Sequence, residues 1–165
     1  MTEPKTEPGI ASTCRPVVAP PSADTVETRL WPDEHLWLYA LMRCSSNAAP
    51  TFRFPDLISA CVTQVFSQAN PAPRIFHYLR TQLIQRDPQS ARLREWMWRA
   101  QYALLLDLQR DPQNRHPHPK FQLDQFTTTC VALCRLDDDT GATVFRFARQ
   151  NMVQRANAAL LEPCS

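Results

Sequence analysis

Apolar residues recur at three- and four-residue intervals along most of the chain from Leu30 onward, which is the spacing of one helix face. The longest such stretch without a breaker runs from Leu93 to Leu108 and carries two of the four tryptophans. It predicts a helix over about residues 90–109, with Ser90 as its N-cap and Asp111-Pro112 ending it. At about 100° per residue, Leu93, Trp96, Met97, Ala100, Ala103, Leu104 and Leu108 share one face, and Trp98, Tyr102, Leu105 and Leu106 form a second apolar strip roughly opposite. A helix that is apolar on both sides is covered on both sides, so this segment is expected to be the central buried helix. The Trp98, Tyr102, Leu105 side is also the candidate partner-binding strip, because aromatic anchors suit interfaces. Asp107 falls on the main apolar face, where a carboxylate needs a cation or several donors. It is the candidate buried acid.

The remaining pattern predicts further helices. Trp31-Pro32-Asp33-Glu34 opens one that is apolar nearly all round through Met42. Thr51-Phe52-Arg53-Phe54 alternates like a short extended piece. Pro55-Asp56 then starts an amphipathic helix with Leu57, Ile58, Cys61, Val62, Val65 and Phe66 inward and Ser59, Thr63, Gln64 and Ser67 outward. Another helix is expected over 74–86, and residues 110–120 form a proline-rich loop. Residues 121–136 read as a helix with Leu123, Phe126, Cys130, Leu133 and Cys134 inward, although the β-branched run Thr127-Thr128-Thr129 favours a strand. After the turn Asp137–Gly141, a last helix is expected over about 143–161. Together these predict an all-α fold: one compact domain of about six helices over residues 29–162, with no internal repeat. Residues 1–28, with five prolines and almost no large apolar side chains, predict a disordered tail.

Composition supports one domain with a real core: 165 residues, 44% of them hydrophobic. With Gly 2 and Pro 15, the chain has no Gly-rich phosphate loop or dinucleotide fingerprint, and it suits helices ended by proline better than a β-rich fold. No cofactor is implied. The net charge of +2 is ordinary, but only Lys5 and Lys120 are lysines among the 18 basic residues. Such a bias suits ion pairs and phosphate contacts, and a GC-rich genome produces it too. Six cysteines, at 14, 44, 61, 130, 134 and 164, accompany a polar start that carries no secretory signal, so free thiols in the cytoplasm are expected. No apolar stretch reaches the roughly 18 residues of a membrane span.

Few residues carry candidate chemistry. Asp139-Thr140-Gly141-Ala142 resembles the catalytic turn of retroviral-type aspartic proteases, a family whose all-β fold needs glycines elsewhere. The surrounding helical pattern, with Gly9 as the one other glycine, reads instead as an acidic turn before a helix N-terminus. His116 and His118 with Cys130 and Cys134 are a conceivable zinc set, but both cysteines lie on a core face, so no metal site is expected. No Cys–His pair is placed within reach by a recognisable motif, and no catalytic residue is assigned. The remaining acid-bearing spots for an enzyme would be a cleft near Asp107, His77 or Asp137–Asp139.

Phe52-Arg53-Phe54-Pro55 followed by helix, turn and helix to Arg86 resembles a ribbon–helix–helix DNA-binding unit over about 51–86. That resemblance implies a strand paired across a dimer, with Arg53 facing the major groove. Arg110 and Arg115 are the other candidate nucleic-acid residues, whereas the arginines of the last helix are spread around its axis. Arg155 falls beside the core face, where it is the candidate partner for the buried acid Asp107. The reading that emerges is a non-enzymatic helical protein-protein interaction module, of bacterial accessory type, acting on a protein partner or by self-association. The alternative is a DNA-binding protein.

Overall fold

The structure is a computed structural model and describes residues 24–114 and 120–162. Its elements are β1 (Thr25–Leu30), α1 (Pro32–Met42), α2 (Phe54–Phe66), α3 (Pro71–Thr81), a 3₁₀ turn (Leu83–Gln85), β2 (Leu93–Trp98), α4 (Arg99–Gln109), α5 (Leu123–Asp137) and α6 (Ala142–Leu161). The expectation of an all-α fold is therefore corrected. The fold is helix-dominated but mixed, because β1 and β2 pair antiparallel in a two-stranded sheet.

The error lies in residues 93–98. Leu93 and Met97 are four apart, as on a helix, but Leu93, Glu95 and Met97 also alternate with Arg94, Trp96 and Trp98, as on a strand. The tertiary partner decides between the two periods. Thr25-Val26-Glu27-Thr28-Arg29-Leu30 is β-branched and alternating, and its register runs from Thr25 opposite Trp98 to Leu30 opposite Leu93. Thr28, Leu30 and Met97 are buried while Glu27, Arg29 and Arg94 are exposed, the division a sheet with one covered face requires. The strand also takes up Thr25–Thr28, which composition assigns to the tail. Residues 1–23 lie outside the described residues.

The helix that remains, α4, begins at Arg99, whose N–H donates to the Asp24 carbonyl (2.8 Å). Starting there, it turns Leu105 and Leu108 into the core and leaves Ala100, Ala103 and Asp107 exposed. Asp107 is thus not a buried acid. The central helix is α2, which packs against α1, α4, α5, α6 and β2. Its run Ser59-Ala60-Cys61 is buried, and of the polar residues expected outward Ser59 and Gln64 are buried and Thr63 is half-buried, with Ser67 exposed as expected. Ser59 Oγ accepts the Trp98 N–H at 2.8 Å, and the Thr63 hydroxyl exchanges hydrogen bonds with the Asn151 amide on α6.

The threonine run of α5 has a similar explanation. Thr127, Thr128 and Thr129 are fully buried within the helix. Thr127 Oγ1 lies 2.8 Å from Thr28 Oγ1 on β1, and Thr128 Oγ1 accepts the Trp31 N–H at the β1–α1 junction. The β-branched run thus lies in a helix, where the Thr127 and Thr128 hydroxyls bind α5 to β1 and to the β1–α1 junction. Two buried asparagines close loops in the same way. Asn47 donates to the Met42 and Phe52 carbonyls and accepts the Phe52 N–H; Asn114 donates to the Gln109 and Phe121 carbonyls and accepts the Phe121 N–H. Among the described residues, no helix is long and apolar enough to cross a membrane.

Candidate interaction surface

Trp98, Tyr102 and Leu105 do not form one strip, because the first ends a strand and the other two lie on α4. Trp98 is half-buried. Its indole Nε1 donates to Asp56 Oδ1 (3.0 Å), the Arg155 guanidinium lies 4.0 Å from the ring centroid, and Arg155 reaches the same carboxylate at 3.2 Å. Arg155 therefore does pair with an acid beside the core, but the acid is Asp56 and not Asp107. Burial holds the Arg155 guanidinium below its ordinary pKa, against the opposing pull of Asp56. Tyr102 is half-buried at a cleft of about 380 Å³ shared with Arg92, Leu123 and Asp124, and Leu105 is completely buried.

The other sequence candidates are dispersed. Arg53 is an exposed N-cap residue of α2, and Thr51–Arg53 is not a strand; the only sheet among the described residues is internal. Arg110 is exposed at the C-terminal end of α4, and Arg115, His116 and His118 lie outside the described residues. Cys130 and Cys134 are buried in the core, and desolvation pushes both thiols well above their usual pKa. Cys134 Sγ donates to the Cys61 carbonyl at 3.4 Å. Asp138, next to the protease-like turn, holds the start of α6: its carboxylate accepts the N–H groups of Thr140 and Thr143 and both their hydroxyls. The Thr140 hydroxyl is the main reason its carboxyl lies below the ordinary aspartate range.

Several charged contacts were not legible in the sequence. Glu34 is buried and receives a two-pronged contact from Arg86 (2.6 and 2.7 Å), whose guanidinium also donates to the Tyr78 hydroxyl. The Glu34 contact holds Arg86 protonated well above its ordinary pKa. Arg86 and Arg92 both lie against the buried Trp31 ring, and Arg92 also pairs with Asp124. His35 Nε2 lies 2.8 Å from Glu95 Oε1, where desolvation raises the Glu95 carboxyl. These contacts tie α1 to α3, β2 and α5, and all but Arg86–Tyr78 join residues that are more than thirty positions apart in the sequence. No local spacing could have announced them.

A cleft of about 480 Å³ is lined by His77, Tyr78, Leu133 and the exposed Leu136, and two further exposed apolar features remain. A groove of about 640 Å³ between α1 and the end of α5 is lined by Leu36, Trp37, Ala40, Leu41, Cys44 and Arg135 with Asp33 and Asp139. Leu36 stands at its edge, 67% exposed. The Cys44 thiol is held below its usual pKa by its hydrogen bonds to Ser46. The other feature is the second half of α6. From Met152 to the end of the helix only Arg155 is even half-buried. Val153, Leu160 and Leu161 are 53%, 84% and 83% exposed. At 100° per residue Met152, Val153, Ala156, Ala159 and Leu160 fall within a stripe about 120° wide. No protein-family model matches this chain, and no curated protein or solved structure is significantly similar to it.

Proposed function

We propose that this protein is a non-enzymatic helical module that binds another protein through the outer half of α6. The observation that carries the reading is the apolar stripe on that half, which the chain's own core leaves uncovered. The groove beside Leu36 is another apolar surface of the same kind. Several chemistry-bearing groups are instead engaged in holding elements together: Glu34 with Arg86, Glu95 with His35, Asp137 with Arg74, Asp56 with Trp98 and Arg155. The nucleic-acid alternative has less support, since Arg74, Arg86, Arg92, Arg94, Arg135 and Arg155 all sit in ion pairs within the chain, not in one open basic stripe. The free thiols of Cys44, Cys61, Cys130 and Cys134 suit a reducing cytoplasm.

A photo-crosslinking amino acid placed at Val153 in the full chain, in the source cells, should give a discrete adduct on irradiation. The same group at Gln154, about 100° further round the helix, should not. No adduct at Val153, or equal labelling at both positions, overturns the reading.

A further inference from the structure

A cavity of about 560 Å³ opens where the end of α2, the start of α3 and the α5–α6 turn meet the inner half of α6. Its size is that of a small-ligand pocket. Gln64 is the one buried residue in its lining, 4% exposed. A buried polar side chain is normally hydrogen-bonded. Gln64 Oε1 has no partner among the described residues, and Gln64 Nε2 makes no hydrogen bond there either. The amide is therefore held by burial and not by bonds. A turn about its last side-chain bond offers either the oxygen or the nitrogen to the cavity.

The charges in the same lining are balanced in number and unequal in use. Arg74 is engaged by Asp137 in a two-pronged contact (2.6 and 3.0 Å) and also donates to Gln68. Arg146 is exposed, lies 5.1 Å from the Phe147 ring centroid, and enters no ion pair among the described residues. Asp138 accepts from Thr140 and Thr143 but likewise enters no ion pair there. The cavity thus holds one unpaired charge of each sign, together with an amide whose acceptor is unmet. A carboxylate alone would add a like charge to a cavity that contains Asp138, and an ammonium alone would do the same to Arg146.

We propose that this cavity binds a small zwitterion, a free amino acid, with its carboxylate on Arg146, its ammonium on Gln64 Oε1 and its side chain along Phe147. A guanidinium with no carboxylate of its own is the natural partner for the ligand's carboxylate. The ammonium supplies the donor that the Gln64 oxygen lacks. Asp138 attracts the ammonium through its charge and not by a direct bond, because its oxygens are already filled by Thr140 and Thr143. The site is independent of the exposed stripe on the outer half of α6, with which it shares no residue.

Isothermal titration calorimetry of the full chain with each common free amino acid in turn tests this, with acetate and methylammonium as single-charge probes. At least one amino acid should bind one-to-one, with Kd on the order of 10 μM–1 mM, and neither single-charge probe should bind at the same concentrations. Arg146→Gln removes the cation from an exposed position and should raise Kd on the order of tenfold. Gln64→Met keeps the buried volume but removes the amide, and should weaken binding by a similar factor. Circular dichroism of both variants should match that of the wild type. Arg146→Gln, on the surface, carries the test alone should Gln64→Met not fold. No binding heat with any amino acid overturns the proposal. So does acetate binding as tightly as the amino acid, which would make this a site for anions only. An affinity indifferent to Arg146→Gln overturns it as well, because the ligand would then sit elsewhere.

Discussion

The two halves of α6 form one uninterrupted helix, and they meet opposite surroundings. In the first half Val144, Phe145 and Ala148 are buried against the body, and Asn151 is buried with its amide bonded to Thr63. In the second half Met152, Val153, Leu160 and Leu161 are exposed, and Arg155 reaching Asp56 is the last side chain held by the body. Apolar residues are no scarcer in the second half. The difference lies in whether another element stands opposite them. Helix extension adds one backbone hydrogen bond per residue once a packed first turn exists, so the buried half can carry the exposed one. Helical periodicity alone therefore says little about which face is core.

Four substitutions sharpen that contrast. Val144→Asp places a carboxylate at a fully buried position with no cation assigned to it. It should cost on the order of 4 kcal/mol or more and abolish the cooperative urea transition. Gly141→Ala comes next. Gly141 has φ +76°, and a Cβ there would lie 2.5 Å from Leu41 Cδ2 on α1, so the variant must both strain the backbone and displace a packed side chain. A loss of about 2–3 kcal/mol in urea unfolding is expected.

Asp138→Ala removes the acceptor for the first N–H groups of α6 and should cost about 1 kcal/mol at neutral pH. The wild-type carboxyl has a folded pKa below its unfolded value. Its contribution is therefore complete above the unfolded pKa of about 3.9 and disappears as the pH falls through the folded value. The gap between wild type and variant should accordingly narrow in unfolding curves taken at progressively more acid pH. A gap that widens in acid would contradict the capping role. The smallest effect belongs to Val153→Asp, which should change stability by no more than about 0.5 kcal/mol. If it destabilised the monomer as Val144→Asp does, the second half of α6 would be core and the comparison would fail.

Much of the helical layout was legible locally. Pro32 and Pro55 lie in the first turns of α1 and α2, and Asp138-Asp139-Thr140-Gly141 separates α5 from α6, whereas the helix expected over 74–86 instead opens at Pro71 and ends at Thr81. The candidate site was hardly legible. Residues 93–98 satisfied both a helix and a strand period, and only β1, more than sixty residues earlier, resolved the choice. Removing that turn and a half from the supposed long helix rotated the rest, which moved Leu105 into the core and Asp107 out to solvent. The Thr127–Thr129 run misled in the other direction, since its β-branched side chains were needed where α5 meets β1 and Trp31.

The sequence by itself determined where chain segments begin and end, through proline, the acidic turn and the spacing of apolar residues, because those signals act within a few residues of one another. Only the tertiary structure decided that 93–98 is a strand, that α2 and not the 90–109 segment is central, that Arg155 pairs with Asp56, and that the α6 stripe is left uncovered. Each of these depends on what stands opposite a residue from a distant part of the chain, and burial is a property of that pairing.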